Sequence, residues 1–491
     1  MESAPPAFAR RPVLLLAGAA GVLLLAVSWR FGYFGDELYF LASWRYHLSW
    51  GYADNPWLLP LLARAMDAIT PGSPLAGHVL AALLHVGGIL CTAMLAREFG
   101  GGKRAQLLAG TAYAISLQLL ASGHILASST VDPFLWTLIC LLLVRWVRVR
   151  NEWLLFGAGL VTAVAMQGKW LIVFFWITVA IGALILGPRD LVRRPGLLLG
   201  ALITLAATVP TIIWQVRNGW PYFAMAKAAK SANDALFGGR FSIPVMAIVF
   251  AGVLLGAFLA CHGTWQLLRD RRYADYRFLG LAVVLLVVLF TVMSSRYYYV
   301  AGVYGLVFAA SAARVERVRP AAWWRWVPTW PVAALSALIT IPLTIPVLPL
   351  AWSSGLQFSV SGTIGWPEVA ATTATAYRQL PPGQRARTSV LAETYWQTAA
   401  LEIYAHDRLP RIHGVERGYW YYGGPSKPGP VLYVGKEATR EYLSRFFTGV
   451  REVGVTRLAA PASNINQGVR VWLCTGQRAP WPQLWNQLHR Y

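Results

Sequence analysis

Long apolar stretches fill the first 350 positions of the chain, and short polar segments separate one stretch from the next. A helix needs about 20 apolar residues to cross a hydrocarbon core of about 30 Å, and the stretches have roughly this length. The pattern predicts eleven membrane-spanning helices, at about 12–29, 75–96, 105–122, 130–147, 153–167, 170–187, 196–216, 243–265, 278–294, 298–313 and 327–350.

The pattern changes beyond residue 350. Segment 351–491 is less apolar, with a helical stretch near 368–380 and strand-like runs at 431–434 and 469–474. Its many aromatic residues argue against a disordered tail, because disordered segments are typically poor in them. The sequence therefore predicts a small α/β domain over 351–491.

Two segments between predicted spans, 30–74 and 217–241, are too long to be simple connectors. Loops of this length usually carry function. In segment 30–74 apolar residues recur at helical spacing, which predicts one or two short helices at the membrane interface. Segment 217–241 is also expected to form a helix at this interface. We expect a transmembrane domain over 1–350 that carries both loops, followed by the domain over 351–491.

Composition agrees with a membrane protein. Hydrophobic residues make up 56% of the chain and charged residues 13%, whereas a soluble domain carries about 25% charged residues. A net charge of +22 is also found in proteins that bind nucleic acid. The basic residues, however, cluster in short segments between apolar runs, and no soluble domain carries a basic patch with a matching motif. We expect an α-helical polytopic protein whose partner is the lipid bilayer, and no nucleic-acid partner.

The distribution of Lys and Arg predicts the orientation. Up to residue 350, alternate polar segments, starting from the N-terminus, hold roughly twice as many basic residues as the others. Because cytoplasmic loops are the basic ones, the N-terminus is expected in the cytoplasm. An odd number of spans then places 351–491 on the extracytoplasmic side of the plasma or inner membrane.

Acidic residues gather on this outer face. Asp36 and Glu37 follow the first apolar run, Asp54 lies in the same loop, and Asp132 begins the fourth predicted span. A carboxylate there can take a proton from a hydroxyl nucleophile, but Asp and Glu in a first turn also cap a helix. Position alone leaves both roles open. Ionisable residues beside spans nevertheless tend to mark functional sites.

Two cations occupy short turns on the same predicted face. Lys169 lies between the fifth and sixth spans, and Arg296 precedes Tyr297 and Tyr298 near the tenth. Snorkelling of a long side chain to the interface is one explanation for Lys169. The other is a phosphate ligand, because cations neutralise the charge of a phosphate leaving group.

Four cysteines show neither a disulfide framework nor a metal-binding spacing. No metal site and no cofactor are predicted, although the outer carboxylates leave a bound divalent cation open. In segment 416–422 the aromatic residues could stack on sugar rings, but packing within the small domain explains them as well.

The order of these features resembles the bacterial glycosyltransferase family 39, which is related to protein O-mannosyltransferases and to the aminoarabinose transferase of lipid A. The likeness covers about residues 30–310 and, more weakly, the region around Tyr395. The stretches that carry it are 34–40, 50–56, 131–136 and 214–221.

The resemblance implies the GT-C fold and an inverting transfer of one sugar from a polyprenyl monophosphate to a glycan, lipid or protein acceptor. It implies that Asp36 acts as general base or orients the acceptor hydroxyl, and that Asp132 supports it. We place Glu37 with these catalytic residues as a helper or a helix cap. Lys169 and Arg296 would bind the donor phosphate, and we place Asp54, Tyr297 and Tyr298 with them as substrate-binding residues.

This chain departs from the family pattern at three places. Trp57 stands where related enzymes often have a second proline, Asn55 where aminoarabinose transferases have lysine, and Ser295-Arg296 where Lys-Pro is common. Two other functions therefore stay in view. One is a transporter or flippase of lipid-linked sugars, although no internal repeat supports it. The other is a non-catalytic binder of such lipids.

Overall fold

The computed structural model describes residues 5–30, 32–318, 320–459 and 464–490. In chain order the first α-helices are α1 (Arg10–Val27), α2 (Gly35–Tyr46), α3 (Leu58–Ile69), α4 (Leu75–Glu98), α5 (Lys103–Ala114), α6 (Leu117–Ser122), α7 (Ser128–Val149), α8 (Glu152–Gly168), α9 (Ile172–Leu186), α10 (Pro195–Arg217), α11 (Pro221–Phe237), α12 (Ser242–Ala251), α13 (Leu255–Arg269), α14 (Arg277–Val292), α15 (Tyr304–Arg317) and α16 (Trp330–Thr344). The later elements are α17 (Leu350–Leu356), α18 (Phe358–Ser361), α19 (Trp366–Arg378), α20 (Pro382–Arg385), β1 (Ser389–Ala392), α21 (Tyr395–Ala405), β2 (Ile412–Gly414), β3 (Val431–Gly435), α22 (Arg440–Leu443), β4 (Phe447–Val455), β5 (Arg470–Gln477) and α23 (Trp481–Leu488). Short 3-10 helices cover Arg189–Arg193, Arg271–Tyr276, Tyr297–Val303, His406–Arg408 and Arg417–Tyr422.

The chain forms two compact units. The first comprises Met1–Trp29, Gly77–Ile213 and Ala226–Val347, and the second comprises Arg30–Ala76, Trp214–Met225 and Leu348–Tyr491. The segment predicted as an outer loop, 30–74, thus forms α2 and α3 of the second unit. The other predicted loop, 217–241, contains α11.

Six helices of the described chain are long and apolar enough to cross a membrane. They are Arg10–Val27, Leu75–Glu98, Ser128–Val149, Pro195–Arg217, Arg271–Val292 and Tyr297–Arg317. α12 and α13 together add a seventh if their bent pair is one span, and α9 and α16 are shorter apolar helices. A multi-pass helical architecture is therefore confirmed, while the count of eleven spans stays a prediction.

Two of the predicted spans are interrupted. The one at 105–122 is divided into α5 and α6, and the one at 243–265 bends by 114° between α12 and α13. At this bend Gly252 has φ of +148°, where a side chain is strained, and a Cβ would press on Gly256. Hydropathy does not reveal such a bend, because both halves are apolar and the apolar run is continuous.

Small residues allow close packing in the first unit. Gly159 of α8 and Gly200 of α10 approach so closely that a Cβ on either would overlap the backbone of the other. Gly302 packs in the same way against Trp136 of α7, which is 1% exposed. These contacts pack α8 against α10, and the Tyr297–Val303 3-10 helix against α7. Predicted site residues lie on α7, directly after α8 and in the 3-10 helix.

The second unit contains a five-stranded mixed sheet in the order β2-β1-β3-β5-β4. β1 pairs in parallel with β2 and β3, while β5 pairs antiparallel with β3 and β4. Alternate residues of β3 enter two apolar clusters, with Leu432 in the cluster of α19 and α21 and Tyr433 in the cluster of α23. The small C-terminal sheet domain predicted from the sequence is confirmed. Helix α2 packs against α21 within this unit.

Candidate functional site

Six of the eight predicted site residues fall into two clusters, one in each unit. The cluster of the second unit begins at the N-terminus of α2. Glu37 is 3% exposed, and its Oε2 accepts a hydrogen bond of 2.8 Å from the backbone N–H of Phe34. This bond satisfies one of the amides that a helix leaves without a partner at its start. A capping contact thus accounts for Glu37, and its predicted catalytic part stays a prediction.

Asp36 lies beside Glu37 and is only partly buried. Its Oδ1 accepts two hydrogen bonds, from the Tyr395 hydroxyl at 2.7 Å and from the Trp396 indole N–H at 2.7 Å. No described residue donates a hydrogen bond to its other oxygen, Oδ2. The carboxylate therefore has one anchored oxygen and one oxygen available to a ligand.

Asp54 lies in a tight turn that the Gly51–Pro56 bridge closes. Its Oδ1 accepts a hydrogen bond of 2.9 Å from the hydroxyl of Tyr39, and its Oδ2 lies 3.7 Å from Arg417 Nη1. A partly buried ion pair with a second hydrogen bond is a stable anchor for the turn. Asp54 is thus joined to the same network of side chains as Asp36.

Arg417 is the centre of this network. Its guanidinium lies 4.0 Å from the centroid of the Tyr395 ring, and Glu416 accepts the backbone N–H of Tyr395 at 2.8 Å. Burial alone would lower the pKa of Arg417, but Tyr395 and the carboxylates of Glu416 and Asp54 outweigh it and raise the pKa. Burial also raises the pKa of Glu416, although Arg417 opposes this shift.

The backbone of Arg417 has φ of +50°, a left-handed conformation that non-glycine residues rarely adopt. Such conformations cluster at functional sites. The sequence interpretation considered segment 416–422 only for its aromatic rings and missed Arg417. The sequence feature that could have indicated Arg417 is the acidic and basic pair Glu416-Arg417 directly before Gly418.

Gly35 makes room for Trp396. A Cβ at Gly35 would overlap the Trp396 indole, whereas a Cβ at Gly355 in α17 would meet nothing within 4 Å. Gly35→Ala is therefore expected to lower the apparent Tm, because overpacking costs about 1–3 kcal/mol. Gly355→Ala is the matched control and is expected to be neutral or to stabilise by up to about 1 kcal/mol. Thermal unfolding in detergent compares the two, and an equal or higher Tm for Gly35→Ala would contradict this packing.

The cluster of the first unit surrounds a small pocket that is partly open to solvent. Three of the predicted residues, Asp132, Lys169 and Tyr298, contribute to its wall. Its lining consists of Ser128, Ser129, Asp132, Pro133, Trp136, Lys169, Leu171, Tyr298, Tyr299 and Gly302. Long-range packing thus brings together the start of α7, the end of α8 and the Tyr297–Val303 turn.

A carboxylate and an ammonium group face this pocket together. Asp132 is 8% exposed, and its Oδ1 has no hydrogen-bond partner within the part of the chain that the structure describes. The charge of Lys169 acts on this carboxylate, and the Lys169 Nζ lies 4.9 Å from the centroid of the Tyr299 ring. Because a buried polar atom without a partner is costly, Asp132 points to a ligand with hydrogen-bond donors.

Arg296 and Tyr297 do not line the pocket, although both were predicted to bind the donor. Arg296 is half-buried and precedes the turn that begins at Tyr297. The Tyr297 ring packs against Phe250, with the ring centroids 4.3 Å apart. Their predicted roles stay untested, while Tyr299, which the sequence interpretation did not select, faces the pocket.

Within the described residues, no three His, Cys, Asp or Glu side chains converge in a way that could hold a metal ion. The side chains of the two clusters differ in their chemistry. The cluster of the first unit supplies an ammonium group and hydroxyls suited to an anion. The cluster of the second unit supplies a carboxylate oxygen suited to a hydroxyl.

Comparison with known families gives a sequence match. Residues 54–214 match the family model of dolichyl-phosphate-mannose-protein mannosyltransferases. This range covers Asp54, Asp132 and Lys169, and it ends before the C-terminal domain. A search of curated protein sequences finds no match.

Solved structures show the same type of fold. ArnT from Cupriavidus metallidurans, crystallised with undecaprenyl phosphate, matches with a TM-score of 0.61 and 17% identity over 95% of this chain and 98% of ArnT. The arabinofuranosyltransferase AftD from Mycobacteria matches with a TM-score of 0.52 and 14% identity over 96% of this chain and 42% of AftD. The predicted resemblance to GT-C glycosyltransferases of the mannosyltransferase and ArnT type is confirmed.

Proposed function

We propose that this chain, similar in sequence to protein mannosyltransferases and in fold to ArnT, is an inverting membrane glycosyltransferase. It moves one hexose or pentose from a polyprenyl monophosphate to an acceptor on the extracytoplasmic side. The family-model match over residues 54–214 carries the reaction class, because that family takes its sugar from a lipid-linked phosphate. The binding of undecaprenyl phosphate by ArnT supports the same class of donor.

The pocket of the first unit is the proposed donor-phosphate site. Lys169 neutralises the charge that develops on the leaving phosphate, and the Tyr298 hydroxyl donates a hydrogen bond to it. Asp132 accepts a hydrogen bond from a sugar hydroxyl, which satisfies its otherwise unpartnered Oδ1. Arg296 is proposed as a second phosphate ligand that approaches from outside the pocket wall.

Asp36 is the proposed general base. The acceptor oxygen attacks the anomeric carbon, its proton passes to Asp36 Oδ2, and the bond from that carbon to the phosphate oxygen breaks with its electron pair. Because attack and departure occur on opposite faces in one step, the anomeric configuration inverts. The acceptor is a glycan, a lipid or a protein hydroxyl.

The test is a transfer assay in proteoliposomes. Polyprenyl-phosphate donors that carry a labelled sugar are incubated with a panel of peptide, glycan and lipid acceptors, and labelled product is separated by chromatography. Transfer to an acceptor with release of polyprenyl phosphate supports the proposal. Movement of intact donor across the bilayer without transfer would favour a flippase, and binding without either would favour a non-catalytic binder.

We expect the reaction to need no cofactor, because the leaving phosphate is neutralised by side chains. Activity measured before and after treatment with EDTA checks this expectation. Unchanged activity would agree with it. Loss that added Mg²⁺ restores would instead show a carboxylate-bound divalent cation.

A further inference from the structure

We infer that Tyr395 and Trp396 are positioning residues that anchor one oxygen of Asp36 and direct the other towards the acceptor hydroxyl. This inference deepens the proposed function and rests on it. Both donors bind the same oxygen, Oδ1, at 2.7 Å each, and both come from the C-terminal domain. The domain over 351–491 would thereby take part in the chemistry of the acceptor.

Helix capping fixes the chain position of the two donors. They are the first two residues of α21, whose N-cap is Thr394. The Thr394 hydroxyl oxygen accepts the backbone N–H of Gln397 at 3.2 Å, and the Gln397 side-chain oxygen accepts the N–H of Thr394 at 3.2 Å. This reciprocal capping box defines where α21 begins. Both side chains are therefore attached to the rigid first turn of a helix rather than to a loop.

Packing fixes the direction of the Trp396 indole. Its ring centroid lies 5.0 Å from that of Phe34, 5.8 Å from Phe358 and 6.2 Å from Trp366. An indole that is enclosed by aromatic rings on several sides has little rotamer freedom. Because its N–H is a donor only, the bond requires Asp36 Oδ1 to act as an acceptor.

The Tyr395 ring is held from two sides. The Arg417 guanidinium lies 4.0 Å from its centroid, and the Tyr39 ring meets it edge-on at 5.2 Å. Burial raises the pKa of Tyr395 well above its ordinary value, against the effect of Arg417. The phenol therefore stays protonated at neutral pH and keeps donating to Asp36.

Two donors on one oxygen have a chemical consequence. They stabilise the ionised carboxylate and fix its plane, so that Oδ2 is left to accept the acceptor's proton. A purely structural role, in which the aromatic pair only packs α2 against α21, would require neither hydrogen bond. Removal of the hydroxyl or the N–H alone, with the rings retained, separates the two roles.

Tyr395→Phe and Trp396→Phe are the variants, measured in the full-length protein with the transfer assay. Each removes one charge-assisted hydrogen bond, and kcat is expected to fall about tenfold with the KM of the donor unchanged. Tyr377→Phe and Trp481→Phe are matched controls, since their groups donate to the backbone carbonyls of Arg385 and Lys427.

The same variants are then made in an Asp36→Asn background. There Tyr395→Phe is expected to cause no further loss, because a positioning residue acts through Asp36. An undiminished kcat, or an equal loss with and without Asp36, would each overturn this inference while wild-type transfer leaves the proposed function intact. A wild-type protein without transfer activity would overturn both.

Discussion

Asp36→Asn is expected to lower kcat by about 10²–10⁴-fold, the contribution of a general base. The asparagine side-chain carbonyl can still accept the hydrogen bonds of Tyr395 and Trp396, so that the site is expected to stay assembled. The group that replaces Oδ2, however, is an amide NH₂, which donates hydrogen bonds and cannot take a proton. The loss is therefore expected in the chemical step, with donor binding retained.

Initial rates of sugar transfer over a range of donor concentrations measure this effect. Asp407→Asn makes the same chemical change at an exposed position of the same unit and is expected to leave kcat unchanged. Equal turnover in wild type and Asp36→Asn would remove Asp36 from the mechanism. A parallel loss in both variants would show a general effect of charge rather than catalysis.

Lys169→Met is expected to lower kcat/KM for the donor by about 10- to 100-fold, the range for hydrogen bonds to a charged group. Methionine keeps an unbranched apolar side chain but removes the ammonium group that faces the pocket with Asp132. Lys169→Arg is expected to retain much of the activity, because it keeps the charge, although its planar group favours two-pronged contacts. Donor titrations measure kcat/KM for each variant.

The loss of Lys169 also leaves the Asp132 carboxylate buried beside no counter-charge, which is costly in itself. The double variant Asp132→Asn with Lys169→Met removes that cost and is expected to recover the apparent Tm but not the activity. Lys103→Met changes an exposed lysine of the same unit and is the matched control. If Lys169→Met retained the wild-type kcat/KM, or if the double variant regained it, Lys169 would not be a phosphate ligand.

Much of the architecture can be predicted from local stretches of the sequence. Apolar stretches longer than a membrane is thick predict spanning helices whatever their neighbours are, and the strands at 431–434 and 469–474 are recognisable from composition. The same local information places Asp36 and Glu37 at the first turn of a helix. It does not show which of the two caps the helix and which takes a proton, because either carboxylate can do both.

The tertiary structure gives the two carboxylates different contacts. Glu37 turns back to the amide of its own helix, whereas Asp36 meets Tyr395 and Trp396, which lie 359 and 360 residues away in the sequence. Contacts at such separation depend on how helices pack, which periodicity does not encode. For the same reason the sequence did not predict that Arg417, whose backbone is strained, belongs to this network.

The pocket of the first unit shows the same limit. Hydropathy and charge singled out Asp132 and Lys169 one at a time, each with a plain structural explanation. Packing of α7, α8 and the Tyr297–Val303 turn placed them around one cavity, added Tyr299 and left Arg296 outside the wall. The sequence by itself predicted a multi-pass helical protein and singled out the charges that are unusual in it, because long apolar stretches are a property of composition. The tertiary structure alone decided which of those charges meet, because a site is defined by distances between segments that the chain order leaves free.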